Sequence, residues 1–202
     1  MKKVLIVTPY VEGDLKDIIK GKRFDAVICA DASLDAAKSA GLTPDVVIGD
    51  FDHGTKPDFE KIIEVPCEKD DTDTMLCVKH AIASGASDIF IAGGIGGRLD
   101  HTIANVQTLA YADSKGVRAV LADKNNEATV VTGNAAFKKR SGYFSLFAYG
   151  GKCVGVTLKG TKYTLDDATL RTSFPLGVSN EITADEATLE IREGTALVVF
   201  AK

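Results

Sequence analysis

The 202-residue sequence predicts an α/β chain in two parts: a mostly parallel, Rossmann-like sheet flanked by helices over residues 1–125, then an antiparallel β-sandwich over residues 126–202. Three observations carry this expectation. In the first part short apolar runs alternate with stretches of helical spacing, the pattern of parallel strands joined by crossover helices. From Ala128 onward helical periodicity disappears, and short segments rich in Val, Thr, Phe and Tyr are separated by Gly, Asn and Asp. With 45% hydrophobic residues and no low-complexity tract, the chain can bury one good core or two smaller ones.

Taken in order, the expected strands of the first part are residues 4–7, 26–30, 46–48, 61–65, 89–92 and 119–122, and the expected helices are 33–40, 72–84 and 99–112. In the middle helix Met75, Val78 and Ile82 recur at helical spacing and read as core, with Lys79 on another face and Gly85 where a C-terminal glycine belongs. In the second part the expected strands are 128–132, 143–148, 152–158, 187–192 and 196–201, with Gly150-Gly151 and Glu193-Gly194 as hairpin turns. This unit is small for independent stability, so it is expected to pack as a sandwich against its neighbour or a second copy of the chain.

Composition excludes several classes. Net charge is −4 and no basic or aromatic stripe is present, which argues against nucleic acid as a partner. No run is long enough for a membrane span. The N-terminal Val4-Leu5-Ile6-Val7 is too short for a leader and reads as a strand, so the expected location is cytoplasmic. Cys29, Cys67, Cys77 and Cys153 show no Cys-x-x-Cys spacing, and neither a zinc site nor a disulfide framework is expected.

The charge of the chain is concentrated. Residues 45–73 hold ten carboxylates against three lysines, knotted into Gly49-Asp50-Phe51-Asp52 and Lys69-Asp70-Asp71-Thr72-Asp73. In an extended segment Asp50 and Asp52 share a face while Phe51 turns away. Carboxylates so close repel unless a cation lies between them. Capping by Asp71 or Thr72 accounts for one such residue at a helix start, not for three acids in four. An all-oxygen set selects a hard cation, and magnesium is the usual one where substrate phosphates complete its shell.

In an open parallel sheet ligands bind at the carboxyl ends of the strands. Asp31 follows one strand, Gly49-Asp50-Phe51-Asp52 another, and Gly93-Gly94-Ile95-Gly96-Gly97-Arg98-Leu99-Asp100-His101 a third. The last segment fails as a dinucleotide fingerprint, because counting from Gly94 and Gly96 puts Leu99 in the third glycine's place. It offers instead flexible backbone amides, Arg98 and a helix N-terminus to phosphate oxygens.

Taken together, Ala30-Asp31, Pro44 to Asp52, Lys69 to Asp73, Gly97 to His101 with Asn105, Gly160 to Leu165 and Ser179-Asn180-Glu181 resemble the thiamine pyrophosphokinase family, in this order along essentially the whole chain. The resemblance implies an α/β domain that binds ATP and magnesium, followed by a β-sandwich for thiamine binding and dimerisation. It implies a homodimer with active sites at the subunit interface, and transfer of the β,γ-pyrophosphoryl group of ATP to the thiamine hydroxyl with release of AMP. Carried over, it makes Asp50, Asp52, Asp70 and Asp73 the catalytic and magnesium-binding acids, and Asp31, Lys69, Thr72 and Arg98 the ATP-phosphate contacts. Asp100, Ser179 and Asn180 become the thiamine contacts, with Ser179 from the second subunit. Three positions depart from the family pattern: Ala32-Ser33 in place of two glycines, His53 in place of a serine, and Thr161 in place of a leucine.

Two other functions use the same residues. A magnesium-dependent nucleotide or phosphate-ester hydrolase would turn the acids on water. A non-catalytic nucleotide-binding regulatory module would use the glycine segment and an oligomerising β unit, but leaves the excess of acids without a purpose.

Overall fold

The structure is a computed structural model describing residues 1–52 and 56–202, so His53 lies outside the described residues. The chain forms two compact units, Met1–Lys124 and Asn125–Lys202.

In the first unit β1 (Lys2–Val7), β2 (Ala26–Ala30), β3 (Val46–Gly49), β4 (Ile62–Glu64), β5 (Ala86–Ala92) and β6 (Arg118–Ala122) run parallel in the order β6-β5-β1-β2-β3-β4. Strand alternation divides their apolar residues between two faces. Leu5, Val7, Val27, Cys29 and Val47 pack with Leu15 and Ile18 of α1 (Leu15–Ile19) and with Leu34 and Ala37 of α2 (Leu34–Ser39). Ile6, Ile28, Ile48, Ile89 and Ile91, all buried, alternate with these toward the opposite face. There α3 (Asp73–Ala83) crosses β1, β2, β3 and β5 and packs on α4 (Leu99–Ser114).

The buried stripe of α3 is Thr74, Cys77, Val78 and Ala81, rotated from the expected one, and Met75 and Ile82 flank it half-buried. Small side chains let the helix lie close to the sheet, and the larger pair covers the seam. The helix opens on Thr72, whose hydroxyl accepts from Met75 N at 3.2 Å, and closes at Gly85 with φ 83°. The short α1, absent from the sequence expectation, is capped by Asp14, which accepts from Lys16 N at 2.9 Å.

In the second unit every pairing is antiparallel. It contains β7 (Asn126–Lys138), β8 (Tyr143–Lys159), β9 (Leu165–Leu170), β10 (Gly177–Asn180) and β11 (Glu186–Ala201), ordered β10-β8-β11-β7 with β9 also on β8. The expected hairpins at Gly150-Gly151 and Glu193-Gly194 are not hairpins. Both lie inside single long strands, at a bulge where the partner of Glu193 is Val154 while that of Thr195 is Tyr149. Glycine serves a bulge as readily as a turn, since both need positive φ or close backbone approach. Past the bulge the strands form a second layer. Phe144, Leu146, Ala196, Val198 and Phe200 on one side of it join Val156, Leu158, Leu170, Ala187 and Leu189 on the other in a single buried cluster. Phe137, Phe144 and Phe200 close its end with ring centroids 5.2–5.5 Å apart.

Among the described residues no helix is long and apolar enough to cross a membrane.

The bulge generates a stability prediction. Gly194 has φ 95°, and a Cβ there would lie 2.3 Å from the Lys152 carbonyl oxygen. Gly194→Ala should therefore cost about 2 kcal/mol, seen as a fall of about 4–8 °C in melting temperature.

Candidate active site

β1 is flanked by β2 on one side and β5 on the other, so chain progression reverses direction there and a crevice opens at the carboxyl ends of these strands. A cavity of about 340 Å³ occupies this edge, its lining including Thr8, Asp31, Lys69, Asp73, Arg98 and Asn105. Asp31 leaves β2 with φ 46° and opens a 3₁₀ turn ending at Ser33, whose buried hydroxyl donates to Val7 O at 2.9 Å. The turn crowds the end of β3. A Cβ on Gly49 would stand 2.7 Å from the Asp31 Cα, so only glycine fits immediately before the acidic pair.

Asp50 and Asp52 follow, separated by Phe51 at φ 54°. Lys69, largely buried, ties the two acidic knots together. Its Nζ donates to Asp50 Oδ2 and lies 3.2 Å from Asp73 Oδ1. The second contact is off the hydrogen-bonding direction, so Asp73 Oδ1 is buried and ion-paired yet accepts no hydrogen bond.

The electrostatics follow from this geometry. The hydrogen bond from Lys69 holds the Asp50 carboxyl below its ordinary value, against a smaller effect of burial. Asp73 goes the other way: burial, reinforced by the charges of Asp50 and Asp31, outweighs Lys69 and raises it. Burial disfavours the charged form of Lys69, but Asp50 and Asp73 together outweigh it and raise its pKa.

The donor set suits a hard divalent ion. Asp50 and Asp52 supply adjacent carboxylate oxygens, and Asp73 Oδ1 is a buried acceptor with no hydrogen bond to spare it desolvation. Asp70 stands exposed on the turn before α3, and among the described residues it joins no tight cluster of potential ligands. Asp71, which also lines the cavity, pairs with Lys79 at 2.7 Å.

The glycine segment after β5 is clipped down. Gly93 N donates to Ala122 O at 2.8 Å, Gly94 N to Tyr10 O at 2.7 Å and Gly96 N to the Thr102 hydroxyl at 3.0 Å, while Asn105 Nδ2 donates to Gly94 O at 2.8 Å. These three amides, expected from the sequence to approach phosphate, already serve to hold the arch. Arg98 remains as its charged donor. It is exposed and makes a two-pronged pair with Asp100, whose carboxyl that hydrogen bonding holds at about 2.

A family model described as "Thiamin pyrophosphokinase, catalytic domain" matches residues 20–121, and one described as "Thiamin pyrophosphokinase, vitamin B1 binding domain" matches residues 135–196. The chain belongs to the thiamin pyrophosphokinase family. Thiamine pyrophosphokinase of Bacillus subtilis is 28% identical over 170 residues, covering 79% of each chain. Thiamin pyrophosphokinase 1 of Caenorhabditis elegans is 25% identical over 161 residues, covering 73% of this chain and 66% of its own. The crystal structure of the thiamin pyrophosphokinase from Geobacillus thermodenitrificans superposes with a TM-score of 0.86 at 26% identity, covering 99% of this chain and 97% of that one. The solved structure of the thiamin pyrophosphokinase from Candida albicans, at 16% identity and a TM-score of 0.81 over 100% of this chain and 89% of its own, shows the shared fold.

In the unit matched by the vitamin B1 binding model, Ser179 is exposed on β10 with φ 59°, and its backbone N–H donates to the Ser145 hydroxyl at 3.1 Å. Asn180 beside it is buried and fully engaged. Its Oδ1 accepts from Tyr163 N and Glu181 N, and its Nδ2 donates to Tyr163 O at 2.6 Å. Of the departures from the family pattern, Ser33 anchors the Asp31 turn, and buried Thr161 donates to Tyr163 O at 2.9 Å.

Sequence reasoning passed over Cys67. Its Sγ lies with oxygens of Asp50 and Asp52, all within 4.8 Å of one another. The signal was position alone, two residues before Lys69 in the second acidic knot.

The pivotal role of Lys69 gives a pH prediction. Asp50, held low in the folded chain, contributes stability above its unfolded pKa that is lost as pH falls through its folded one. Asp73, held high, works oppositely, costing stability as pH rises through its folded value. Lys69→Met should move both carboxyls upward in a carboxyl-carbon NMR titration. Its urea-unfolding stability should fall below the parent's at neutral pH, with the gap narrowing in acid as both carboxyls protonate.

Proposed function

We propose that this chain transfers the β,γ-pyrophosphoryl group of ATP to the hydroxyl of thiamine, giving thiamine diphosphate and AMP. The observation that carries the reading is the pairing of Lys69 with both Asp50 and Asp73, with Asp52 beside Asp50, at the carboxyl edge of the parallel sheet in a member of this family.

Little covalent chemistry falls to the protein in such a transfer, so positioning and charge stabilisation dominate. Asp50, Asp52, Asp70 and Asp73 would hold Mg²⁺, which when bound neutralises the triphosphate. Lys69 presents its ammonium to phosphate oxygens from within the acids, and Arg98 exchanges its exposed pairing with Asp100 for a phosphate. Asp31 borders the nucleotide, and Thr72 serves it by fixing the start of α3. One of the clustered aspartates accepts the thiamine hydroxyl proton. The acidic surroundings also suit the cationic thiazolium ring.

In this reading residues 1–125 bind ATP and magnesium and residues 126–202 bind thiamine and dimerise. Asp100 and Ser179 hydrogen-bond the aminopyrimidine, and Asn180 positions Ser179 by locking the loop beside it. The exposed Tyr143, Tyr163, Phe174, Leu176 and Val178 of the β unit support a homodimer with active sites at the subunit interface and Ser179 supplied by the second copy. The enzyme works in the cytoplasm.

Mass spectrometry of the 202-residue protein with thiamine, ATP and Mg²⁺ should show thiamine diphosphate and AMP in equal amounts. AMP or ADP released without thiamine would make the chain a hydrolase instead. Asp52→Asn should lower kcat at least about 100-fold with an unchanged melting profile. Ser179→Ala should weaken thiamine binding more than ATP binding in calorimetry; the reverse would move the pyrimidine elsewhere.

A further inference from the structure

Cys67 lies in the loop between β4 and α3, exposed, between Pro66 and Glu68. The other three thiols, Cys29, Cys77 and Cys153, are buried, and burial raises the pKa of each. Cys67 is thus the solvent-facing thiol of the chain, and it faces the carboxylates of Asp50 and Asp52 rather than an apolar surface. Two donors bound to one ion at about 2.0–2.3 Å stand at most about 4.5 Å apart. The trio already lies within 4.8 Å, and Asp52 and Cys67 are both exposed, so a small contraction brings all three onto one centre. Lys69 engages Asp50 through Oδ2 and Asp73 through Oδ1, and its ammonium is not bonded to Cys67.

We infer that Cys67 is a ligand at this site, which is therefore a mixed carboxylate–thiolate centre that takes a thiophilic divalent cation of the zinc, cobalt or cadmium class in competition with magnesium. This rests on the reading that Asp50 and Asp52 hold a divalent ion. The hard magnesium ion draws on the carboxylates and gains little from sulfur, whereas a softer ion gains a third strong donor. On binding, the Cys67 S–H bond breaks heterolytically, the proton passes to solvent and the thiolate electron pair forms the metal–sulfur bond, so no oxidant or reductant takes part. Excess thiophilic ion then displaces magnesium and stops turnover, a sensitivity set by one side chain.

Cobalt(II) is the probe, because a bound thiolate produces a near-ultraviolet sulfur-to-metal charge-transfer band that carboxylates do not. The parent chain, titrated with Co²⁺ under reducing conditions, should develop this band to saturation at one equivalent, and excess Mg²⁺ should bleach it. Cys67→Ser should lack the band and bind Co²⁺ at least about tenfold more weakly by calorimetry. Persistence of the band in Cys67→Ser would assign the thiolate to another cysteine and overturn the inference. Co²⁺ binding without a band in the parent, abolished by Asp50→Asn, would overturn the role of Cys67 while leaving the acidic site intact. Failure of the parent to bind Co²⁺ or Mg²⁺ at all would remove both.

Discussion

Mutual repulsion among carboxylates is the constraint around which the first unit is arranged. Asp31, Asp50, Asp52 and Asp73 come from two separate strand ends and a helix start. Lys69 makes their proximity tolerable: one ammonium hydrogen-bonded to Asp50 and ion-paired with Asp73 offsets part of the charge and fixes the distance between the two knots. It does not neutralise the set. Asp73 keeps an unsatisfied oxygen and an elevated pKa, and Asp52 faces outward beside Asp50. A site left partly uncompensated in this way is a site that favours additional positive charge.

The scaffold pays for this arrangement in backbone geometry. Asp31 and Phe51 both adopt positive φ, a strain that non-glycine residues seldom bear, and Gly49 is obligatory because the Asp31 turn sits against it. Across the crevice the glycine arch is held by its own amides, by Tyr10 O and by Asn105, so its shape is set before any ligand arrives. Preorganisation of this kind lowers the cost of holding a flexible triphosphate in a reactive pose.

Much of this was legible in the sequence, for identifiable reasons. Parallel strands betray themselves as uniform apolar runs, and the knots of acid stand out because no capping argument explains three in four residues. What was missed is equally specific. At five residues α1 is too short for a helical period to register, and β9, Leu-Asp-Asp-Ala-Thr-Leu, carries acids where alternation would show a strand. Gly150-Gly151 and Glu193-Gly194 were read as turns because sequence reports that the backbone needs a glycine, not whether the chain then reverses or continues. Asn180 carries a polar side chain that looks ligand-facing, yet it is spent on its own loop, whereas Thr72 is the helix cap that the sequence itself offered. Cys67 had no spacing motif to announce it, since its neighbours at the site are carboxylates brought in from β3.

The continuity of β8 and β11 through their bulges governs how the β unit comes apart. A sandwich built of separate hairpins can open one sheet and keep the other, exposing raw strand edges that invite association between chains. Here each of the two longest strands belongs to both layers, and the apolar cluster draws on both of their halves. Opening either layer strips the other of its central ladder, so the amides of the whole unit exchange with solvent as one cooperative block, and half-opened, sticky intermediates stay scarce.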